Sequence, residues 1–476
     1  MGFVILAALA ALAAVVIVNT LRFTPRPQEE AQIVPVEVNR EKLVRDMQDM
    51  IRCKTVSNPD ESLMDFAEFQ KFHALLAERF PLVHKHATLE HVGSTGLLYT
   101  LKGKAGDKPS VLMAHYDVVP VEEAGWTKPP FDAVIEDGCI WGRGTLDTKG
   151  TLCGVFEALE ALLEKGYQPE QDLYLSFAGD EEVSGSSCPA IVETLKSRGV
   201  VPEIVVDEGG AVVDNVFPGV SKPCAVVGIA EKGGLNLRFS MESQGGHAST
   251  PPRKTVLGQL SRALVAIEKH PFPSQITPPL EKMLDTLGRH STFLYRMIFA
   301  NMWLFAPVLD LYCRMAGGEL NALMRTTVAP TRFEGSKAYN VMPPQASFGV
   351  NIRLLGSDTM ESAAARLGKI IKNEKITIEQ IGGMNPSIVS QTDCEGYEKL
   401  QNVIRQTWPE AIVTPYLMMA CSDSRHYCAI TDKVYRFSAM HLSKAERAMI
   451  HGNDERVPIE TLETTVKFYH RLLMQL

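Results

Sequence analysis

The chain has 476 residues, of which 45% are hydrophobic and 22% are charged, and its formal net charge is −8. This length predicts two domains, or one large domain with an insertion, in an ordinary globular protein. The acidic balance gives no electrostatic reason to expect a nucleic-acid partner, so we exclude nucleic-acid binding.

Residues 1–23 are predicted to form a transmembrane anchor, with a cleaved signal peptide as the alternative. Residues 1–18 carry no charge and are almost wholly apolar, and as a helix they would extend about 27 Å, close to the hydrocarbon thickness of a bilayer. The segment lacks a basic n-region and a clear small-x-small cleavage site, which favours the anchor. We therefore expect a single-pass membrane protein. Arg22 and Arg26 are too few charges to decide the side of the membrane.

The polar, proline-bearing residues 24–38 predict a tether, and an alternation of helices and strands follows it. Helical periodicity covers residues 41–52, 62–79, 149–165 and 187–198, and apolar strand patterns cover residues 97–102, 110–115, 172–178 and 203–207. This order predicts an α/β fold with a mixed, mostly parallel sheet flanked by helices. Functional sites in such folds form at the carboxyl ends of the strands.

The pattern changes near residue 231, where strands of alternating polarity begin at residues 235–241 and return at residues 346–353. We expect an inserted α+β lid or dimerisation domain over residues 231–383, between the two parts of a catalytic domain at residues 39–230 and 384–476. Residues 293–315 are strongly apolar, but Arg296, Pro307 and Asp310 interrupt them, which argues against a second transmembrane helix. A buried or dimer-interface helix pair, an apolar wall for an acyl substrate and a membrane-surface contact all remain open for this segment.

Acidic residues and histidines recur at the ends of the predicted strands and in the loops that follow them. His115 and Asp117 follow an apolar run, so the two side chains of this i, i+2 pair point to one face. Three consecutive acids end another strand, at Asp180-Glu181-Glu182, where their repulsion requires a cation or a proton to offset it. Further motifs contribute Asp147, the pair Asp207-Glu208, and His451. Together these motifs suit a pair of divalent metal ions.

These motifs, in this order, resemble the dinuclear zinc amidohydrolases that include aminoacylase, acetylornithine deacetylase, succinyl-diaminopimelate desuccinylase and carboxypeptidase S. The resemblance covers residues 40–476 and is strongest to the carboxypeptidase S and N-fatty-acyl amino acid hydrolase branch. It implies two Zn²⁺ ions per subunit, with Co²⁺ or Mn²⁺ as alternatives. The implied ligands are His115 and Asp207 on one zinc, Glu182 and His451 on the other, and Asp147 bridging both.

The resemblance also implies the roles of the residues around the metals. Glu181 would be the general base and Asp117 would orient His115, while Glu208 rivals Asp207 as the ligand of the first zinc. Where many relatives have Asp-Asp-Lys, this chain has Asp147-Thr148-Lys149. Relatives hold a cis peptide after the bridging acid, so we expect the Asp147–Thr148 bond to be cis.

Substrate contacts are also implied by the resemblance. His247 would stabilise the oxyanion, often in the active site of a dimer partner, and Arg353, Asn340 and Arg425 are candidates for binding the substrate. A structural salt bridge is the alternative role for either arginine. The expected substrate is a small molecule or short peptide with a free carboxylate, and the expected reaction is hydrolysis of the adjacent amide bond. A non-catalytic relative that uses the fold for binding or dimerisation is the competing hypothesis. A serine hydrolase is weaker, because Ser184-Gly185-Ser186 lacks the G-x-S-x-G elbow.

Overall fold

The structure is a computed structural model that describes residues 1–27 and 31–476, so residues 28–30 of the predicted tether lie outside the described part of the chain. The helices are α1 Gly2–Arg22, α2 Arg40–Ile51, α3 Phe66–Arg79, α4 Pro81–His86, α5 Lys149–Glu164, α6 Ser187–Ser197, α7 Val256–Lys269, α8 Pro278–His290, α9 Phe293–Ala300, α10 Met302–Ala316, α11 Gly318–Met324, α12 Met360–Ile371, α13 Glu395–Thr407, α14 Lys444–Arg447 and α15 Ile459–Leu473.

The strands are β1 Thr88–Val92, β2 Gly96–Leu101, β3 Ala105–His115, β4 Ile135–Glu136, β5 Cys139–Trp141, β6 Gln171–Ala178, β7 Ile204–Asp207, β8 Val212–Val213, β9 Cys224–Glu231, β10 Gly233–Glu242, β11 Gly246–His247, β12 Thr327–Glu334, β13 Val341–Met342, β14 Gln345–Leu354, β15 Thr377–Met384, β16 Ile412–Met418, β17 Val434–Arg436, β18 His441–Leu442 and β19 Arg456–Pro458.

A large mixed sheet forms the centre of the molecule, in the order β1-β2-β6-β3-β7-β17-β9-β8-β18, with β16 paired to β9. The four consecutive strands β6, β3, β7 and β17 run parallel to one another, whereas β2 and β9 on either side of them are antiparallel. β3 is buried continuously from residue 109 to residue 115, as expected for a strand covered on both faces. On one face α5 packs between β3 and the helices α2 and α15. The predicted α/β fold class is confirmed.

A second, antiparallel sheet, β12-β14-β10-β15, lies within the segment predicted as an insert. Burial alternates along β10 and β14, so one face of this sheet is apolar and is covered by α7 and α12. The rings of Phe239 and Phe348 stack in its core with centroids 4.6 Å apart. Unlike α7 and α12, the helix α8 packs against β16 of the large sheet, and its Leu284 and Leu287 lie in the core of that sheet.

The N-terminal helix α1 is long and apolar enough to cross a membrane. Its residues 1–15 are all exposed, whereas Val16 and Thr20 near its end are buried against the body of the protein. α9 and α10 meet the same test of length and composition only as one broken span, and they are bent by 108°. The structure therefore agrees with the expectation that residues 293–315 do not form a straight membrane-spanning helix.

Candidate metal centre

The predicted metal ligands meet at one edge of the large sheet because three parallel strands end there. His115 is the last residue of β3, and Asp207 is the last residue of β7. Glu181 and Glu182 lie in a 3-10 turn, Glu181–Val183, shortly after β6. Because β6, β3 and β7 are neighbours in parallel register, their carboxyl ends bring these side chains together.

Asp147 lies between the two histidines. Its Oδ1 is 3.0 Å from Nε2 of His115, and its Oδ2 is 3.0 Å from Nε2 of His451. The same nitrogen of His451 is also 3.0 Å from Oε2 of Glu182. One carboxylate whose two oxygens face two different imidazoles is the arrangement that a bridging ligand requires.

The two acids that follow β7 point in different directions. Oε1 of Glu208 lies 3.6 Å from Nε2 of His115, on the side of the other candidate ligands. Oδ2 of the buried Asp207 instead accepts a hydrogen bond of 3.0 Å from the backbone amide of Ser424. The carboxylate of Asp207 thus already has a backbone donor, whereas Glu208 faces the imidazole.

The donor set fits divalent cations. His115, Asp147 and Glu182 form one group, and His115, Glu181 and Glu208 form a second group. In each group one ligand atom per residue lies within 4.8 Å of the others. Imidazole nitrogens and carboxylate oxygens at such spacing suit Zn²⁺ and related divalent ions. The shared His115 and the bridging position of Asp147 favour two neighbouring ions over one.

The electrostatics of the centre follow from many acids in a buried place. Burial opposes the charge on Asp147, but hydrogen bonds from His115 and His451 outweigh burial and hold its pKa well below the ordinary value. A hydrogen bond to Asp147 and a second to Glu182 raise the pKa of His451 to about 10. Burial, reinforced by the charges of Glu208 and Asp423, raises the pKa of Glu181 well above that of an ordinary glutamate.

Asp117 connects the first histidine to the glutamate turn. Its fully buried carboxylate places Oδ1 3.3 Å from Nδ1 of His115. The same carboxylate accepts hydrogen bonds from the backbone amides of Glu181 and Glu182 at 3.2 and 3.1 Å. Nδ1 of His115 also lies 3.1 Å from the backbone carbonyl oxygen of Asp117, so both oxygens of this residue orient the ring with Nε2 toward the metal position. Asp180, the first acid of the run, accepts instead from the amides of Ser186 and Ser187 at the start of α6.

The loop that carries Asp147 is held by a buried ion pair that the sequence did not reveal. Glu455 and Arg143 pair at 2.7 Å, and Glu455 also accepts from the amides of Gly144 and Leu146. Arg143 donates to the carbonyl oxygen of Gly452, next to His451. This pair thereby links the two loops that carry Asp147 and His451. The peptide bond between Asp147 and Thr148 is cis, as expected.

A cavity of about 870 Å³ extends from the metal centre. Its polar end is lined by Asp147, Glu181, Glu182, Glu208 and His451. Apolar side chains line the remainder, among them Val213, Phe217, Met283, Leu287, Leu320 and Leu323, and the tyrosines Tyr295 and Tyr312 of α9 and α10 lie at its rim. The apolar segment thus contributes a wall of the cavity that begins at the metal ligands.

The sequence pattern of peptidase family M20/M25/M40 matches residues 111–475. The chain belongs to this M20 family. It is 34% identical to the probable carboxypeptidase S-like 2 of Dictyostelium discoideum, over 96% of this chain and 90% of the relative. It is 36% identical to an N-fatty-acyl-amino acid synthase/hydrolase of Danio rerio, over 91% of this chain and 85% of the relative.

A solved structure from the M20 family shares this fold. An M20 family metallo-carboxypeptidase from Sulfolobus solfataricus superimposes with a TM-score of 0.67 at 16% identity, and the match covers 90% of this chain and 98% of that one. The chain is therefore a hydrolase of the metallopeptidase and amidohydrolase class, and the competing hypothesis of a non-catalytic protein is set aside. The recognised resemblance to this family is confirmed.

Among the residues expected to bind substrate in this M20 chain, Arg353 contacts a residue that lines the cavity. Nη1 of Arg353 is 3.8 Å from Sγ of Cys421, which lines the cavity. Arg425 is engaged elsewhere, because it pairs with the buried Glu231 at 3.4 Å and donates to the carbonyl oxygen of Asn385. The contacts of Arg425 thus agree with the structural salt bridge that the sequence left open.

His247 and Asn340 lie together on the inserted segment of this M20 chain. β11 and β13 pair His247 with Val341, and the amide of Ala248 donates to the carbonyl oxygen of Asn340. Both side chains are exposed and neither lines the cavity. Within one subunit, the structure therefore separates these two residues from the metal ligands that it brings together.

Proposed function

We propose that this protein hydrolyses the amide bond of N-acyl amino acids, with the acyl chain in the apolar part of the cavity. The observation that carries the proposal is the continuity of this cavity, whose one end is the metal centre and whose walls are aliphatic and aromatic. A dipeptide would leave most of such walls in contact with water, whereas a long acyl chain would bury them. The Danio rerio relative is named for this class of substrate.

The metal centre is proposed to hold two divalent cations, with zinc as the expected metal. The ligands would be His115, Glu208, Asp147, Glu182 and His451, with Asp147 as the bridge. When bound, the cations would act as Lewis acids on the amide carbonyl and lower the pKa of a shared water. Asp117 keeps Nε2 of His115 directed into the site by occupying the other ring nitrogen.

Glu181 is proposed as the general base. Its side chain lines the polar end of the cavity, and its backbone amide is fixed by Asp117. From this position it accepts a proton as water attacks the carbonyl carbon, and it then gives that proton to the leaving amine nitrogen.

The free carboxylate of the substrate is proposed to bind Arg353, whose guanidinium lies beside a residue that lines the cavity. Exposed on the insert, His247 and Asn340 are proposed to complete the active site of a second subunit in a homodimer. Their separation from the metal ligands of their own subunit supports this arrangement. The insert at residues 231–383 would then serve as the lid and dimerisation domain.

We also propose that α1 is retained as a membrane anchor. A helix that is removed after translocation needs no fitted contact with the mature protein. α1, by contrast, buries Val16 and Thr20, and its Asn19 donates a hydrogen bond of 2.9 Å to Asn301. Detection of the N-terminal residues in protein extracted from membranes would support retention, and a mature N-terminus beyond residue 23 would refute it.

The substrate proposal is tested with N-acyl amino acids of increasing chain length and with dipeptides that carry the same C-terminal residue. Each methylene that enters the cavity contributes about 0.8 kcal/mol, so kcat/KM should rise about fourfold per methylene until the cavity is filled. A flat dependence on chain length, or faster cleavage of the dipeptides, would favour the alternative carboxypeptidase activity. That alternative is supported by the name of the Dictyostelium discoideum relative.

Two variants compare a residue that lines the cavity with a residue of α10 that does not. Leu320→Trp narrows the cavity, so it should reduce turnover of long acyl chains and spare short ones. Leu309→Trp makes the same change at a half-buried position of α10 that does not line the cavity, and it should leave the chain-length profile unchanged.

The mechanism is tested by Glu181→Gln. This variant should lose about 10²- to 10⁴-fold in kcat while it still binds the metal ions, because the change removes a proton acceptor and keeps the shape. Full turnover by a metal-loaded Glu181→Gln protein would rule out Glu181 as the base.

A further inference from the structure

The helices α9 and α10 form a bent unit, which we call the elbow, at residues 293–316. Large apolar side chains on its outer side are exposed to solvent, with 63% exposure for Leu294, 60% for Trp303, 63% for Val308 and 58% for Leu311. The sequence from residue 291 to residue 309 contains no acidic residue. Such a surface is unfavourable in water and calls for an apolar cover.

The elbow is hydrogen-bonded to the C-terminal end of α1. Asn301, which joins α9 to α10 and is fully buried, accepts from Asn19 at 2.9 Å and donates to the carbonyl oxygen of Val16 at 3.2 Å. Thr20 is also buried at this junction, and Nδ2 of Asn301 lies 3.4 Å from its hydroxyl. These hydrogen bonds fix the position of the elbow along α1.

The position of this junction determines where the elbow lies if α1 spans a membrane. Residues 1–18 are uncharged and would extend about 27 Å as a helix, close to the thickness of the hydrocarbon layer. Val16, Asn19 and Thr20, which contact Asn301, lie at the end of this stretch, where the chain leaves that layer. The elbow is therefore held at the depth of the membrane interface, which tryptophan and tyrosine side chains prefer.

The rim of the cavity is part of the same surface. Tyr295 and Tyr312 line the cavity, and they are 39% and 63% exposed on the elbow. A molecule that enters between these side chains would pass directly from the environment of the elbow into the apolar cavity. With the elbow in the interface, that environment is the lipid.

We propose that the elbow lies in the surface of the bilayer and that the cavity takes its substrate from the lipid, through the rim at Tyr295 and Tyr312. The substrate would be an amphiphile with an acyl chain in the membrane and a carboxylate at its surface. The identity of this substrate rests on the proposed hydrolysis of N-acyl amino acids, and the contact between the elbow and the lipid rests on the proposed retention of α1 as a membrane anchor.

The contact is tested with the full chain reconstituted into phosphatidylcholine vesicles that contain brominated lipids, which quench nearby tryptophan fluorescence. The chain has four tryptophans, so the signal of Trp303 is obtained as the difference between the wild type and Trp303→Phe. We expect this difference signal to be quenched by at least about half, as for an indole at the interface. An unquenched signal would overturn the proposal. A second copy of the chain that covers the elbow would give that result together with a dimer in detergent.

The route of the substrate is tested with the double variant Val308→Ser and Leu311→Ser, whose positions do not line the cavity. We expect about a tenfold loss of kcat/KM for a long-chain N-acyl amino acid dissolved in vesicles, because two apolar contacts with lipid are removed. A short, water-soluble N-acyl amino acid should be cleaved at the wild-type rate. Leu63→Ser, at a position that is 69% exposed and distant in sequence, is the matched control and should change neither rate.

The outcomes distinguish a failure of the lipid route from a failure of the proposed function. Equal losses on both substrates, or no loss on either, would refute the lipid route. If the wild type cleaves neither N-acyl substrate, the proposed function fails, and quenching of Trp303 still decides whether the elbow lies in the membrane.

Discussion

Replacement of Asp117 by asparagine removes one charge from the metal centre without changing the size of the side chain. The fully buried carboxylate accepts from two backbone amides, at 3.2 and 3.1 Å, and lies 3.3 Å from Nδ1 of His115. Asparagine can accept at one oxygen only, so in either orientation its amide nitrogen faces a backbone N–H group, that of Glu181 or that of Glu182. We expect Asp117→Asn to lower the affinity for Zn²⁺ by about 10-fold, because the negative charge beside Nδ1 of His115 is lost while the contact of Nδ1 with the backbone carbonyl oxygen remains. We also expect the free energy of unfolding of the metal-free protein to fall by about 1–3 kcal/mol.

Asp180→Asn is the matched control for this experiment. Oδ2 of Asp180 also accepts from two backbone amides, those of Ser186 and Ser187 at 3.0 and 3.1 Å, but these donors belong to the start of α6. Both contacts use the same oxygen, which asparagine can supply, so this variant should lose less free energy of unfolding than Asp117→Asn and should keep its metal affinity. Zinc affinity is measured by competition with a chromogenic chelator, and stability is measured by urea unfolding in EDTA. Equal losses of metal affinity in the two variants would refute the assignment of Asp117 as the residue that orients His115.

Three further predictions concern the ligand choice, the substrate carboxylate and the acid stability. Glu208→Gln should reduce the amount of bound metal, measured by mass spectrometry, more than Asp207→Asn does, because Glu208 faces His115 and Asp207 faces the amide of Ser424. A larger loss of bound metal in Asp207→Asn would identify Asp207 as the ligand. Arg353→Ala should raise KM by about 10- to 100-fold with little change in kcat, because a charge-assisted hydrogen bond to the substrate carboxylate is lost. For a substrate whose carboxylate is amidated, the variant and the wild type should have the same KM. Burial and the neighbouring His91 lower the pKa of His73 from 6.5 to about 4. The unfolded chain therefore takes up a proton between pH 6.5 and pH 4 that the native state does not take up. The contribution of His73 to the free energy of unfolding is full above pH 6.5, and it falls by about 1–2 kcal/mol as the pH is lowered to 4. Urea unfolding of His73→Gln should show a smaller loss over this interval, and an unchanged loss would contradict the role of His73.

The local pattern of the chain was sufficient to predict the elements that build the catalytic sheet. The continuous apolar run before His115 and the three acids after residue 178 predict strands that end in ligands, and both follow from the preference of buried parallel strands for unbroken apolar sequence. The order of helices and strands then places these ends at one edge. The five separated motifs were likewise sufficient to recognise the family, which the comparisons confirmed.

The choice between neighbouring side chains needed the tertiary structure. Asp207 and Glu208 are adjacent in sequence and equally acidic, and they differ in their long-range contacts, with the amide of Ser424 for Asp207 and with His115 for Glu208. The contacts of Arg425 could not be predicted for the same reason, because its partner is Glu231 at the end of β9. Such long-range hydrogen bonds leave no periodic signal in the sequence.

The sequence by itself determined the fold class, the set of residues able to bind metal and the presence of two apolar segments far apart in the chain. The tertiary structure decided that α1 and the elbow lie together through Asn19 and Asn301, and that the elbow borders the cavity. An apolar segment has the same composition whether it is buried in a core, covers a ligand or contacts lipid, because the hydrophobic effect is not directional. Only the packing of the whole chain shows which of its faces remain uncovered.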